Sequence, residues 1–261
     1  MKKILTYLIA TTALLMISAV AMAQDGENPF VGSTHTYNVT PDPAGVGTNT
    51  YSWAISGGGT INGVSNGTSL SVTWTAAGPQ TVTFTETDGT GTTCFSSVQL
   101  PVTVIANDFD VNIGTLADGC NNNSGTVSPV DSANSIIAIP FEMETGGTTW
   151  SPNWEVFFDL SVTSVNARLV TVALTSGANG TLNDLGGGAY SITGINGASG
   201  VGETSIDVEV KGYSFEDVTI DAEITAAKEL QYDTPAGSTG SWVPSTITIY
   251  KIPNTSPITT D

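Results

Sequence analysis

The sequence predicts an all-β protein made of two tandem β-sandwich modules, and three observations carry that prediction. Apolar residues fall on every second position in short runs, the period of a strand with one face in a core. Clusters of Gly, Asn, Asp and Pro interrupt these runs about every ten residues. Runs with helical period are nearly absent, and the one stretch of helical character, Ala226-Ala227-Lys228-Glu229-Leu230, amounts to a single turn. With 39% apolar residues the chain has enough material for packed sheets.

The chain opens with Lys2 and Lys3, followed by an apolar run from Ile4 to Val20 and the small-x-small site Ala21-Met22-Ala23. That order is the pattern of a secretory signal peptide over residues 1–23, cleaved before Gln24. A membrane anchor is the alternative, but Thr6, Thr11, Thr12 and Ser18 dilute the run and the cleavage site follows directly. The expected location is therefore exported: extracellular or on the outer cell surface, with the periplasm as a further compartment. No later stretch is apolar enough to span a membrane.

Removing residues 1–23 takes both leading lysines and leaves Arg168, Lys211, Lys228 and Lys251 against 24 acids, in a chain whose full-length net charge is already −18. Such a surface repels phosphate backbones, so nucleic acid is excluded as a partner. Protein or glycan partners at the cell surface remain. The plain consequence of the acidity is solubility and repulsion between neighbouring copies.

Within residues 24–105 the alternation is clear in His35 to Val39, Tyr51 to Ile55, Leu70 to Trp74, Val82 to Phe84 and a longer run from Phe95 to Ile105. The connectors Gly57-Gly58-Gly59, Asn66-Gly67, Ala77-Gly78-Pro79 and Asp88-Gly89 are turn formers. Trp53 and Trp74 are expected as core anchors, because buried aromatic area dominates such positions.

The stretch Tyr51-Ser52-Trp53-Ala54-Ile55, the glycine-rich turn, Ser71-Val72-Thr73-Trp74 and the run Thr81 to Thr87 leading to Cys94 together resemble the PKD-like, immunoglobulin-type repeats. Such repeats are common in secreted and surface proteins of bacteria with type IX secretion and gliding machinery. The Trp followed by Phe-Gly-Asp-Gly of PKD domains proper is absent, since Trp53 runs into Ala54-Ile55-Ser56-Gly57. The resemblance implies spacer, adhesion or recognition work with no active site, in association with that machinery. It also makes Ser132, in Asp131-Ser132-Ala133, a candidate O-glycan acceptor.

Residues 106–250 are expected to form a second, larger sandwich, with strands at Phe109 to Ile113, Ile136 to Met143, Trp154 to Val162, Leu169 to Leu174, Tyr190 to Thr193, Ser205 to Val210, Val218 to Ile224 and Thr246 to Tyr250. Residues 251–261 read as an exposed tail.

Few residues offer chemistry. Cys94 and Cys120 are the only cysteines, and an exported compartment permits a disulfide between them. A hairpin turning at Asn107-Asp108 would set residues 94 and 120 opposite each other; two buried free thiols are the alternative. His35 is the only histidine and has no acid or nucleophile evident beside it, so a hydrolytic triad is not expected. A second hairpin, about residues 212–216, would set Asp207 opposite Asp221 beside Glu209 and Glu223. That group is a calcium candidate weighed against a solvated acidic face, and no other cofactor is expected. Trp150 and Trp154 flank Pro152 and could stack on a sugar or anchor a protein, with core packing as the alternative. The leading expectation is a non-enzymatic surface protein of structural or adhesive role; a carbohydrate-binding protein and a polysaccharide hydrolase using two carboxylates are the alternatives.

Overall fold

A computed structural model describes residues 26–41, 49–89, 94–121, 133–145, 152–197, 203–212, 215–238 and 240–252. All its regular elements are strands, and their buried side chains divide into two clusters.

The first cluster lies between two three-stranded sheets. In chain order the strands are β1 (Thr34–Asn38), β2 (Thr50–Ile55), β3 (Gly59–Asn62), β4 (Ser69–Trp74), β5 (Gly78–Thr87) and β6 (Phe95–Val104). One sheet has the order β1-β4-β3 and the other β2-β5-β6, with every pairing antiparallel. Alternation decides what is buried: Leu70, Val72 and Trp74 from β4 meet Val82 and Phe84 from β5 and Val102 and Val104 from β6. Trp53 and Trp74 are core anchors, as the sequence suggests; the Trp53 ring meets Phe84 edge-on at 4.9 Å.

This is the arrangement of the last six strands of a seven-stranded immunoglobulin sandwich, whose first strand pairs beyond the one corresponding to β1. Here β1 is an edge among the described residues. The segment before it lies instead beside β6, where Thr103 N–H donates to Glu27 O, Ile105 N–H to Pro29 O and Val31 N–H to Ile105 O.

Strand β3 is an element that alternation does not reveal, because it begins inside the triple glycine. A Cβ on Gly59 would sit 2.9 Å from the Trp74 ring and 3.0 Å from Val72 Cγ1, so the strand can lie against β4 only with glycine there.

The second cluster lies between a four-stranded and a six-stranded sheet. Its strands are β7 (Phe109–Ile113), β8 (Gly119–Cys120), β9 (Ala133–Thr145), β10 (Trp154–Val162), β11 (Arg168–Leu174), β12 (Thr181–Gly186), β13 (Ala189–Ile195), β14 (Glu203–Gly212), β15 (Val218–Glu229) and β16 (Ser245–Tyr250). The orders are β11-β14-β9-β7 and β12-β13-β10-β15-β16-β8. Inward rows such as Ile206, Val208 and Val210 on β14 and Val218, Ile220, Ala222 and Ile224 on β15 fill the space between the sheets.

The stretch expected to be a helical turn is strand. Opposite β10 the pairing steps from Phe157↔Ala226 to Phe158↔Ile224, leaving Thr225 as a bulge. The bulge shifts the inward phase from Ile224 to Ala227 and Glu229. That shift breaks the alternation and gives the sequence its helical look.

Both hairpins expected from the sequence are absent. β6 pairs with β5 while β7 pairs with β9 in another sheet, so the chain crosses from one sandwich to the other at residues 105–108. Cys94 and Cys120 are accordingly not cross-strand neighbours, and both are free and exposed. In the same way β14 and β15 belong to opposite sheets and do not pair.

Where the two clusters meet, the contacts are specific. Phe30 belongs to the second core although it precedes β1. Thr34 N–H donates to Tyr232 O, Asn107 Nδ2 donates to Pro235 O at 2.7 Å, and the His35 ring stacks on Tyr232 at 4.2 Å. The loop that presents Tyr232 is gathered around Glu229. This carboxylate is 0% exposed and accepts from the N–H groups of Gln231, Tyr232 and Thr234 and from Thr234 Oγ1. Asp233 takes a positive φ of 56° to close the loop.

Candidate functional site

The residues singled out in the sequence do not converge. Asp207 and Glu209 are set on the outer face of one sheet, Asp221 and Glu223 on the outer face of the other, with the second core between them. Three of the four find an uncharged neighbour: Thr175 Oγ1 donates to Asp207 at 2.8 Å, Thr171 Oγ1 to Glu209 at 2.8 Å and Thr246 Oγ1 to Asp221 at 2.6 Å. The hydrogen bond from Thr171, then that from Asn134, holds the Glu209 carboxyl below the usual carboxylate range. The calcium group is thus dispersed, and among the described residues no cluster of three or more metal-ligating side chains occurs.

Trp154 is a core residue. Its ring is 0% exposed, packs edge-on near Phe109 at 6.5 Å, and leaves its indole N–H without a partner among the described residues. It cannot present a face to a sugar. Trp150 and Ser132 lie outside the described residues.

His35 is buried, with the Tyr232 ring stacked over it. A nucleophile type does stand beside it: His35 Nε2 lies 3.1 Å from Ser33 Oγ. That hydroxyl donates to Phe30 O at 2.7 Å and is fully buried, so it serves the joint between the cores and has no access to a substrate.

What the structure does bring together is a groove along the open side of the first sandwich, about 220 Å³ in volume. One bank is the end of β1 at Tyr37 and Asn38 with Val39 just beyond it; the other is the edge of β6 at Val98, Gln99 and Leu100; Trp53, Val82 and Phe84 form the floor. No lining side chain is charged, in a chain of net charge −18. The β1 bank is held by a short relay: Trp74 Nε1 donates to Tyr37 Oη at 3.0 Å, and Tyr37 Oη donates to Gly26 O at 2.8 Å. The sequence shows the alternation of these residues but gives no sign that the row on β6 runs out from under its cover.

A second hollow, about 430 Å³, is lined by Asn112, Glu144, Ser238, Trp242 and Ser245 among others. Trp242 is fixed there by donating Nε1 to Val111 O at 2.7 Å. It lies in a Gly/Ser-rich stretch between strands, and alternation gives it no signal.

No protein-family model matches the chain, and no characterised protein matches it in sequence. Among solved structures it is similar to the seventh ScaB type I cohesin from Pseudobacteroides cellulosolvens, at 14% identity over 59% of this chain and 97% of that one, with a TM-score of 0.35. It is also similar to the C-terminal domain of the AgI/II polypeptide BspA of Streptococcus agalactiae, at 10% identity over 87% and 96% of the two chains and a TM-score of 0.32. A backbone pilin of Streptococcus pyogenes is similar at 10% identity over 83% and 64%, with a TM-score of 0.33. At those scores the likenesses carry no argument about function. No described helix is long and apolar enough to cross a membrane.

Proposed function

We propose that this protein is exported to the cell surface and acts there, without catalysis, as a structural or adhesive interaction protein. The observation that carries the reading is the uncharged groove between β1 and β6, an apolar surface flanked by two strand edges on an otherwise strongly acidic chain. The leader-like residues 1–23 and the immunoglobulin-like sandwich support it. Association with type IX secretion or gliding machinery is the finer form of the proposal and rests on the PKD-like resemblance of residues 35–105. Labelling intact cells with a membrane-impermeant amine reagent tests the location. Modification of Lys211 or Lys251 before lysis supports the proposal; modification only after lysis overturns it.

A carbohydrate-binding reading has one observation in its favour, the hollow at Trp242 with Asn112 and Glu144 on its walls. Glycan-array binding that is lost in Trp242→Ala and kept in Val98→Arg would favour it over the first.

A further inference from the structure

We propose that the side of the first sandwich between β1 and β6 takes up an extended segment of another protein as an added strand, uncharged and apolar at every second position. The inference rests on the interaction-protein reading above and names the chemistry of the partner.

Backbone direction along β6 is fixed by the bonds already made. Thr103 and Ile105 send their N–H groups away from β5, to Glu27 and Pro29. Backbone groups in a regular ladder alternate from side to side, and β6 pairs with β5 without a register shift from Val104 to Phe95. Pro101, Gln99 and Ser97 therefore also face outward. Pro101 fits this parity, because proline has no N–H and a missing outward donor costs no bond to β5. Beyond Glu27 the outer edge of β6 has no backbone partner among the described residues. Among the described residues the parallel ladder of residues 27–31 does not reach Gln99 and Ser97, and an incoming strand continues it.

Opposite, Thr34 N–H turns outward to Tyr232 and Val39 N–H turns inward to Thr68, so Asn38 faces the groove with its peptide groups. An extended chain between the banks meets backbone donors and acceptors on β6 and presents alternate side chains to Trp53, Val82 and Phe84. That is strand addition, in which the backbone supplies affinity and the floor selects side chains. Val98 points into the same space and is 55% exposed, so no described residue covers it. The wall has no charged residue, while the chain as a whole repels anions, so an acidic segment is excluded and an uncharged one matches the lining.

The test uses the mature protein with a capped nonapeptide alternating valine and threonine and ending in lysine, and a control peptide with aspartate at two valine positions. Amide hydrogen exchange is the readout. The neutral peptide is expected to slow exchange at Ser97 and Gln99 at least tenfold, and the acidic control to leave both unchanged. Val98→Arg and Gln99→Pro, both at the exposed edge, should abolish the protection while keeping the unfolding midpoint. Absence of protection at millimolar peptide overturns the proposal, as does equal protection in both folded variants. Protection that appears without peptide and grows with protein concentration would assign the groove to a second copy and also overturns it. These failures leave the surface-labelling result untouched, so the partner chemistry and the broader function fail separately.

Discussion

Val98 and Val102 stand in the same inward-facing row of β6, yet Val102 is 1% exposed and Val98 is 55% exposed. The row passes from a closed core into an open groove within two repeats of the strand's alternation. Substitution should feel that difference. Val102→Ala is expected to cost about 2 kcal/mol through lost burial and a residual cavity, and Val98→Ala less than about 0.5 kcal/mol, as for a surface residue. Urea unfolding of both variants checks this; equal losses would mean that Val98 is covered.

Tyr37 links the core to the chain ahead of β1, accepting from Trp74 Nε1 and donating to Gly26 O. Tyr37→Phe keeps the ring and removes both bonds, leaving the Trp74 N–H buried without an acceptor. The expected cost is about 1–3 kcal/mol, read by the denaturant midpoint. Tyr51→Phe, whose ring stacks on Phe84, should be close to neutral by the same measurement.

Glu229 holds the loop that carries Tyr232 to His35. Glu229→Ala orphans the N–H groups of Gln231, Tyr232 and Thr234, with a cost of about 3 kcal/mol. The stacked His35 ring signals should lose their ring-current shift in the NMR spectrum of this variant. Glu223→Ala, on the solvent face of the same strand, should leave both stability and those signals unchanged.

The Glu209 carboxyl is held low first by the Thr171 hydroxyl. A folded-state pKa below the unfolded one contributes stability above the unfolded value, and that contribution disappears as pH falls through the lowered one. Thr171→Val should let the Glu209 pKa rise toward its ordinary value, read from its carboxyl carbon shift, and remove its part of the acid dependence. An unchanged titration would assign the shift to another neighbour.

Much of this fold is legible from period alone. The rows Leu70-Val72-Trp74, Ile206-Val208-Val210 and Val218-Ile220-Ala222-Ile224 are buried as their alternation implies. Partner choice is not legible, since alternation fixes which face is inward and leaves open which sheet a strand joins. The crossing at residues 105–108 and the placement of β14 and β15 in different sheets defeat both hairpins for that reason, and with them the juxtaposition of Cys94 with Cys120 and of Asp207 with Asp221. The bulge at Thr225 conceals a strand by shifting its phase, and Gly59 conceals another by lacking the side chain that would show it. The groove escapes the sequence because Val98 and Leu100 continue the row of Val102 and Val104, and only their exposure among the described residues sets them apart.

The edge that β6 leaves open among the described residues is tested most directly by hydrogen exchange on the mature protein alone. Ser96, Val98 and Leu100 direct their N–H groups to β5 and should exchange slowly, as should Thr103, which is bonded to Glu27. Ser97 and Gln99 should exchange at least a hundredfold faster than Val98. Uniformly slow exchange from Ser96 to Leu100 would show that the edge is already paired, and would contradict the account.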